Sequence, residues 1–337
     1  MGHIFMTAVN AVFPIIGLIL LGYILRRKNF LSDSFLKTGN RLVFQVCLPC
    51  MLFLNVYDIS DFGVIRWNVV AYAVGMVLLL FVLGLASALA VTKVPERRGV
   101  LLQCVFRSNY AIIGLSLAAA LGGEEALAVS AIVSAFTIPV FNILAVVALT
   151  MFVGKREKGS GGIAREILTN PLILGVALGL LALAVRGLEV RLWGREVFSL
   201  RRDVKFLYSM LTSLKSIASP LALIVLGGQF TFSAIGRLWK EIAVGTVWRI
   251  VLSPLLGLGA AALLSECTGW FSCGVNEFPA LVALFGSPVA VSSAIMAGSM
   301  GSDEQLATQL VVWTSLGSIV TIFLEVCILM SAGLLAV

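Results

Sequence analysis

Two stretches carry the strongest structural signal in this chain: VFRSNYAIIGLSLAAALGG at residues 105–123 and LFGSPVAVSSAIMAGSMGS at residues 284–302. Each is an apolar run of helical length that contains helix-breaking or polar residues, a Ser-Asn pair at 108–109 and a Ser-Pro pair at 287–288. Proline removes an amide donor and clashes with the preceding helical turn. In lipid, such a break is tolerated only where it faces protein or a watery cavity. We therefore expect two interrupted helices with buried breaks.

The composition of the whole chain is that of a membrane protein. Of the 337 residues, 60% are hydrophobic and only 12% are charged, whereas a soluble domain carries about a quarter charged residues. A bilayer core of about 30 Å needs roughly 20 apolar residues in a helix. Ten runs meet this need, at residues 4–25, 36–56, 67–92, 99–121, 126–153, 167–186, 207–228, 239–264, 278–299 and 305–334. The sequence therefore predicts an all-α integral membrane protein with ten transmembrane helices.

The charges of the loops predict the orientation of these helices. Basic residues cluster near 26–37, 93–98, 155–165 and 237–240, and acidic residues prevail in the alternate loops. Because cytoplasmic loops are enriched in Lys and Arg, we expect a multi-pass protein of the cytoplasmic membrane with both termini outside. The basic loop 186–206 disagrees, and is either an amphipathic interfacial segment or evidence of one miscounted span. The sequence has no basic face interleaved with aromatic residues, so we expect no binding of nucleic acid.

The two halves of the chain resemble each other weakly. Residues 102–128 align without gaps to residues 281–307, with nine identities in 27 positions. The alignment divides the chain into a first five-helix repeat at 1–153, a charged, Gly-rich linker at 154–166 and a second five-helix repeat at 167–337. Two copies of an odd number of spans must insert with opposite topology, which is the inverted-repeat plan of secondary transporters. Spans four and nine, which contain the breaks, then occupy equivalent positions.

The breaks predict an anion site near the membrane midplane. A half-helix that begins at a break presents unpaired amides and a partial positive charge at its N-terminus. Asn109 and Ser108 lie at one break, and Ser287, Pro288 and Ser292 lie at or near the other. We expect these residues to bind the anion together with the half-helix amides.

Two charged residues inside apolar runs each have a functional and a structural interpretation. A charge in the membrane costs on the order of 3 kcal/mol on insertion scales unless it is paired or solvated. Arg107 either neutralises a substrate carboxylate, for which its guanidinium can donate two hydrogen bonds, or forms a structural pair. Glu325 either carries a coupling proton or pairs with a basic residue, and Lys215 and Arg249 are also within apolar runs.

The sequence contains no motif for catalysis or for a bound group. The single histidine, His3, offers no metal site, and no phosphate-binding loop is present. No paired aspartates, Ser–Lys pair or zinc motif occurs at helical spacing, which argues against an intramembrane enzyme. We therefore expect no catalytic residue, no metal and no cofactor.

The sequence resembles the auxin efflux carrier family, specifically its short-looped prokaryotic permeases. The segments that carry the resemblance are the two interrupted runs and FPIIGLILLGYILRRKNFLSD at 13–33, NRLVFQVCLP at 40–49, NPLILGVALGL at 170–180 and SPLALIVLGGQF at 219–230. The resemblance implies a scaffold formed by spans one, two, six and seven. It also implies a mobile core formed by spans three to five and eight to ten, in which spans four and nine cross at the substrate site.

The resemblance also implies the cargo and two of the site residues. Members of the family carry carboxylates. Asn109 matches the family asparagine at the crossing, and Pro288 matches the family proline of span nine. Gly114 is also expected at the substrate site, but the chain departs from the family there, because the proline that commonly follows this glycine is absent and Leu115 and Ser116 stand in its place.

These observations predict a secondary transporter that moves small organic anions by alternating access. The alternative is a sodium-coupled symporter of the bile-acid or arsenite type, a class with a similar crossover but usually more acidic ligands around it. The expected partners are the anion and the lipid bilayer, and a second copy of the chain, in a homodimer, is an alternative to a monomer.

Overall fold

The computed structural model describes residues 2–58, 66–153, 169–267, 271, 273–274 and 277–335, and these residues form helices joined by short connections. Three π-helical turns, Val43–Cys47, Tyr110–Gly114 and Trp248–Leu252, continue directly into the next helix. The α-helices are α1 Gly2–Arg27, α2 Asp33–Leu42, α3 Leu48–Tyr57, α4 Trp67–Val91, α5 Pro95–Phe106, α6 Leu115–Val153, α7 Pro171–Trp193, α8 Leu200–Asp203, α9 Lys205–Gln229, α10 Ala234–Val247, α11 Ser253–Cys267, α12 Phe278–Gly286, α13 Ser292–Ser299 and α14 Glu304–Ser331.

The helices are those of an integral membrane protein. Within the described ranges, seven helical stretches are long and apolar enough to cross a membrane. They are Asp33–Tyr57, Trp67–Val91, Leu117–Val153, Pro171–Trp193, Lys205–Gln229, Ala234–Cys267 and Glu304–Ser331. The stretches α5, α12 and α13 are shorter because each ends or begins at an interruption. The count of ten spans and their inverted repeat stay predictions.

The second interruption follows from the local sequence. The helix α12 ends at Gly286, and Ser287 is extended, with φ −64° and ψ 145°. The residue before a proline is driven away from the helical region by the proline ring, so Pro288 sets the conformation of Ser287. The chain then returns to a helix at Ser292.

The first interruption has no proline. The helix α5 ends at Phe106, and Arg107 is extended, with φ −88° and ψ 109°. The chain resumes helical structure only at Tyr110. Farther along, α6 is itself bent where Gly122 and Gly123 leave the helical region, Gly123 with φ 65°.

Helices α1 and α9 pack closely through glycine. A Cβ atom at Gly22 would overlap the carbonyl oxygen of Ile224, and one at Gly227 would overlap that of Ile19. Small residues of this kind let two helix backbones approach within a membrane. The same arrangement joins α3 and α7, where Gly175 lies against the carbonyl oxygen of Pro49.

The basic loop after the sixth predicted span is partly helical. Helix α7 continues to Trp193 rather than ending at residue 186, and Gly194 closes it with φ 69°. In the short helix α8 the Arg202 guanidinium donates to Asp203 and holds the pKa of that carboxyl below its usual value. The predicted linker at 154–166 lies outside the described residues.

Candidate functional site

The two helix interruptions contact each other through their backbones. Ser108 and Val289 form an isolated antiparallel bridge. The Asn109 amide donates to the Pro288 carbonyl oxygen at 2.8 Å, and the Ala290 amide donates to the Arg107 carbonyl oxygen at 3.4 Å. This short ladder satisfies backbone groups that the interruptions remove from their helices. The two breaks therefore form one structural unit.

The side chains at this unit line a small central cavity of about 50 Å³. That space is enough for a few water molecules, since one water needs roughly 10–15 Å³ measured in this way. The walls come from both breaks and from three helices: α3, α6 and α9. The lining residues from the breaks are Arg107, Ser108, Asn109, Ala111, Ala290, Val291 and Ser292.

Arg107 is the only charged side chain among the described residues that line this cavity. Its Nη2 atom donates to Asn142 Oδ1 at 2.8 Å and to Ser292 Oγ at 2.9 Å, and its Nη1 atom contacts the Met296 sulfur. All of these partners are neutral, and no ion pair is recorded for Arg107 in the described part of the chain. The cavity therefore holds a buried positive charge whose counter-charge is not supplied by a neighbouring carboxylate.

Two polar groups beside Arg107 lack a partner. The Ser108 hydroxyl and the Asn109 side-chain nitrogen are buried and make no hydrogen bond. A buried polar group without a hydrogen bond lowers the stability of the fold by about 1–3 kcal/mol. Such groups are rare in native structures. Together with Arg107, these groups bring three side chains that can donate hydrogen bonds to a ligand in the same cavity.

The other predicted site residues have backbone or packing roles. The Ser287 hydroxyl donates to the Ala283 carbonyl oxygen at 2.6 Å, and Pro288 supplies its carbonyl oxygen to Asn109. Gly114 lies against the Ala283 carbonyl oxygen, where a Cβ atom would come within 2.9 Å. None of these three residues lines the central cavity. Glu325 lies elsewhere, against the end of α12.

Three polar residues of the cavity were not among those predicted for the site. Asn142 orients the Arg107 guanidinium, and Asn55 and Ser219 line the cavity from α3 and α9. Each is a polar residue in an apolar run, which is a signal visible in the sequence. That signal does not separate a residue facing a cavity from one that bonds a neighbouring helix.

A larger cavity of about 330 Å³ adjoins the central one. Both are lined by Leu52, Asn55, Ala111 and Ile138. Its wall also contains Asp58 and Lys215, whose Oδ2 and Nζ atoms are 3.6 Å apart. The two cavities together extend from Arg107 to the end of α3.

The fold and this site define an integral membrane protein with a buried, positively charged cavity where two interrupted helices meet. Comparison with known proteins gives its family. Residues 7–325 match the family model described as "Membrane transport protein". The chain therefore belongs to this family of transporters, the auxin efflux carrier family that its sequence resembles.

A curated relative supports the same class of protein. The chain is 24% identical over 329 residues to an uncharacterized transporter of Methanothermobacter thermautotrophicus. The alignment covers 95% of this chain and 97% of that protein. Family and relative together point to a transporter.

Proposed function

We propose that this protein is a secondary transporter that carries small carboxylates across the cytoplasmic membrane by alternating access. The observation that carries the proposal is the central cavity, in which the Arg107 guanidinium and the unpaired Ser108 and Asn109 groups face one space. None of the described residues that line that space is acidic. A site with a buried positive charge and free donors favours an anion.

A carboxylate suits these donors in number and geometry. The guanidinium of Arg107 is planar and suits two parallel hydrogen bonds to a carboxylate, one of which would replace a bond that its Nη2 atom makes to Asn142 or Ser292. The Asn109 side-chain nitrogen and the Ser108 hydroxyl would then donate to the remaining lone pairs, which ends the unpaired state of both groups. The apolar remainder of the substrate would contact the aliphatic residues of the cavity, such as Leu52 and Ala222.

The position of the cavity fits movement between two bodies. Residues of α3 and α9 form one wall, and residues of the breaks and of α6 form the other. In the proposed arrangement of ten spans in two inverted repeats, the first wall belongs to the scaffold (spans one, two, six and seven) and the second to the mobile core. Relative movement of the two bodies would expose the carboxylate first to one side of the membrane and then to the other. Both termini are proposed to lie outside.

A binding screen tests this proposal. Purified protein would be challenged with a panel of mono- and dicarboxylates in a thermal-shift assay, followed by titration of the best ligand. Asn109→Ala removes one donor to a charged ligand, a loss of about 1.5–3 kcal/mol, so we expect the Kd to rise roughly 10- to 100-fold.

The control is Asn68→Ala, because Asn68 lies at the start of α4 and outside the cavity. It should bind the ligand like the unaltered protein. Equal binding by Asn109→Ala and the control would overturn the site assignment. Uptake into proteoliposomes with and without a sodium gradient would separate this function from sodium-coupled symport.

A further inference from the structure

Arg249 holds the ends of both interrupted helices. This residue of the π turn after α10 is fully buried. Its Nη1 atom donates to the Val105 carbonyl oxygen of α5 at 3.2 Å, and its Nε atom donates to the Ser287 carbonyl oxygen at 3.0 Å. Its Nη2 atom donates to two further carbonyl oxygens at the end of α12, those of Leu284 and Phe285. One guanidinium therefore binds four carbonyl oxygens at the point where α5 and α12 stop.

These carbonyl groups need such a partner. The last carbonyls of a helix have no intrahelical donor and carry a partial negative charge. Arg249 supplies both the hydrogen-bond donors and the positive charge at the C-terminal ends of α5 and α12. The N-termini of the half-helices that follow the breaks lie at the central cavity. The Ser253 hydroxyl adds a bond to the Val105 carbonyl oxygen at 2.9 Å.

Glu325 of α14 packs against the same helix end. A Cβ atom at Gly286, the last residue of α12, would overlap Glu325 Oε2. Both carboxyl oxygens of Glu325 are buried and neither has a hydrogen-bond partner. Because Gly286 has no side chain, the Glu325 carboxyl group has room to pack at this helix end.

Among the residues that the structure describes, one other charge interacts with Glu325, that of Arg249. The carboxyl group borders a crevice of about 420 Å³ between α11 and α14, whose other lining residues are apolar except Thr321. Arg249 lies close enough to act on Glu325 electrostatically, because it donates to the carbonyl oxygens of Leu284 and Phe285, just before the Gly286 against which Glu325 packs. The Cys104 thiol of α5 is within the same range of Arg249. Every hydrogen bond recorded for Arg249 goes to a carbonyl oxygen and none to Glu325.

We propose that Glu325 is a proton-binding site that acts through Arg249 on the two helix breaks and so couples proton movement to transport. This inference rests on the proposed carboxylate transport. A neutral Glu325 fits the arrangement seen here, because an ionised carboxylate without hydrogen bonds is strongly disfavoured in an apolar site. An ionised Glu325 would compete with the helix-end carbonyls for the Arg249 donors and loosen both breaks.

The same geometry favours a proton over a sodium ion. Sodium binds to oxygen atoms, and the free oxygens at a broken helix are its last carbonyls. Here the Arg249 guanidinium occupies those carbonyls at both α5 and α12. A cation placed beside Glu325 would also meet the positive charge of Arg249.

The test is transport into proteoliposomes in two modes, using the carboxylate that binds best. Net uptake driven by a pH gradient requires proton movement, whereas counterflow exchange of labelled for unlabelled substrate does not. If one proton moves with each substrate, a gradient of one pH unit sustains up to about tenfold accumulation. We expect Glu325→Gln to lose this accumulation and to keep counterflow. The control is Glu266→Gln near the end of α11, where the side chain is exposed and lies outside both cavities and the crevice beside Glu325, and which should keep both modes.

A second measurement protects the test against a misfolded variant. Infrared difference spectra of the purified protein after a pH change should show the carbonyl band of a protonated carboxylic acid, and Glu325→Gln should lack it. Absence of that band from the unaltered protein would overturn the inference, as would pH-driven accumulation that survives Glu325→Gln. If no carboxylate shows counterflow in the unaltered protein, the proposed function fails instead, and the infrared band still decides whether Glu325 binds a proton.

Discussion

At the scale of single residues, the shape of the Arg107 side chain matters as much as its charge. The guanidinium spans Asn142 and Ser292 while it faces the cavity. A lysine would keep the charge, but its compact ammonium cannot form a planar pair of bonds with a carboxylate. Replacing Arg107 with lysine therefore tests the shape of the side chain separately from its charge.

Arg107→Lys should weaken binding of the best carboxylate about tenfold or more, and Arg107→Gln should reduce it further, because the buried counter-charge is lost. Isothermal titration of the purified variants measures both effects. The control is Arg202→Lys on the exposed helix α8, where the side chain pairs with Asp203 and does not touch the cavity. A Kd that is unchanged in Arg107→Gln would show that the substrate charge is neutralised elsewhere.

The sequence identified Arg107, Ser108, Asn109 and Ser292 as site candidates, and these residues line one cavity. Each stands out because a polar residue in an apolar run needs a reason. The sequence could not show that the Ser287 hydroxyl donates back to the Ala283 carbonyl oxygen of its own helix. The direction of a side chain depends on neighbours that are distant in sequence, and periodicity does not encode them.

At the scale of elements, the end of α12 depends on the lack of a side chain at Gly286. Gly286→Ala would force a methyl group into the place of Glu325 Oε2, and overpacking of this kind costs about 1–3 kcal/mol. We expect a lower melting temperature in detergent. Adding Glu325→Ala should recover most of the loss, because the smaller side chain vacates that space.

The control for this prediction is Gly259→Ala in α11, where no atom lies within 4 Å of the new Cβ. Alanine is favoured over glycine in a helix by about 0.5–1 kcal/mol, so this variant should melt at the same temperature or slightly higher. A destabilised Gly286→Ala that Glu325→Ala fails to rescue would mean that the clash lies with another neighbour.

The sequence predicted interruptions in both helices from their proline, glycine and asparagine residues, and the chain leaves helical structure in both places. The bend of α6 at Gly122 and Gly123 and the three π turns were not foreseen. An apolar run reports the length of a segment in the membrane. It does not predict a bend, because a bend need not change the composition of the segment. Composition also places the ends of a helix poorly, and α7 extends to Trp193, beyond its predicted end at residue 186.

At the scale of the whole molecule, the two faces of the protein differ. On the face that carries Asp58, a cavity of about 330 Å³ separates α3, α7 and α9 from α6. On the opposite face, Asn40 of α2 donates to Glu304 of α14 at 3.0 Å. This hydrogen bond joins a helix of the proposed scaffold to one of the proposed core. The central cavity adjoins the larger cavity on the Asp58 face, and we infer that the Asn40–Glu304 contact closes it toward the other face.

This asymmetry predicts which side of the membrane reaches the central cavity. A cysteine at Ser219, placed in a background whose native cysteines are serine, should react with an impermeant thiol reagent added from the Asp58 side. The best carboxylate should slow that reaction, because Ser219 lines the cavity. Asn40→Ala removes the contact that closes the opposite face. A change of about 1 kcal/mol shifts a two-state ratio about fivefold, so we expect faster labelling from the opposite side and slower labelling from the Asp58 side.

A cysteine at Glu124 provides the reference for this experiment. Glu124 is exposed at the bend of α6 and lies outside both cavities. Its labelling should respond neither to the carboxylate nor to Asn40→Ala, so that a change seen only at Ser219 reports access to the cavity. If Ser219→Cys reacts equally from both sides and Asn40→Ala alters neither rate, the Asn40–Glu304 contact does not close the cavity. Alternating access would then have to depend on other contacts between the two bodies.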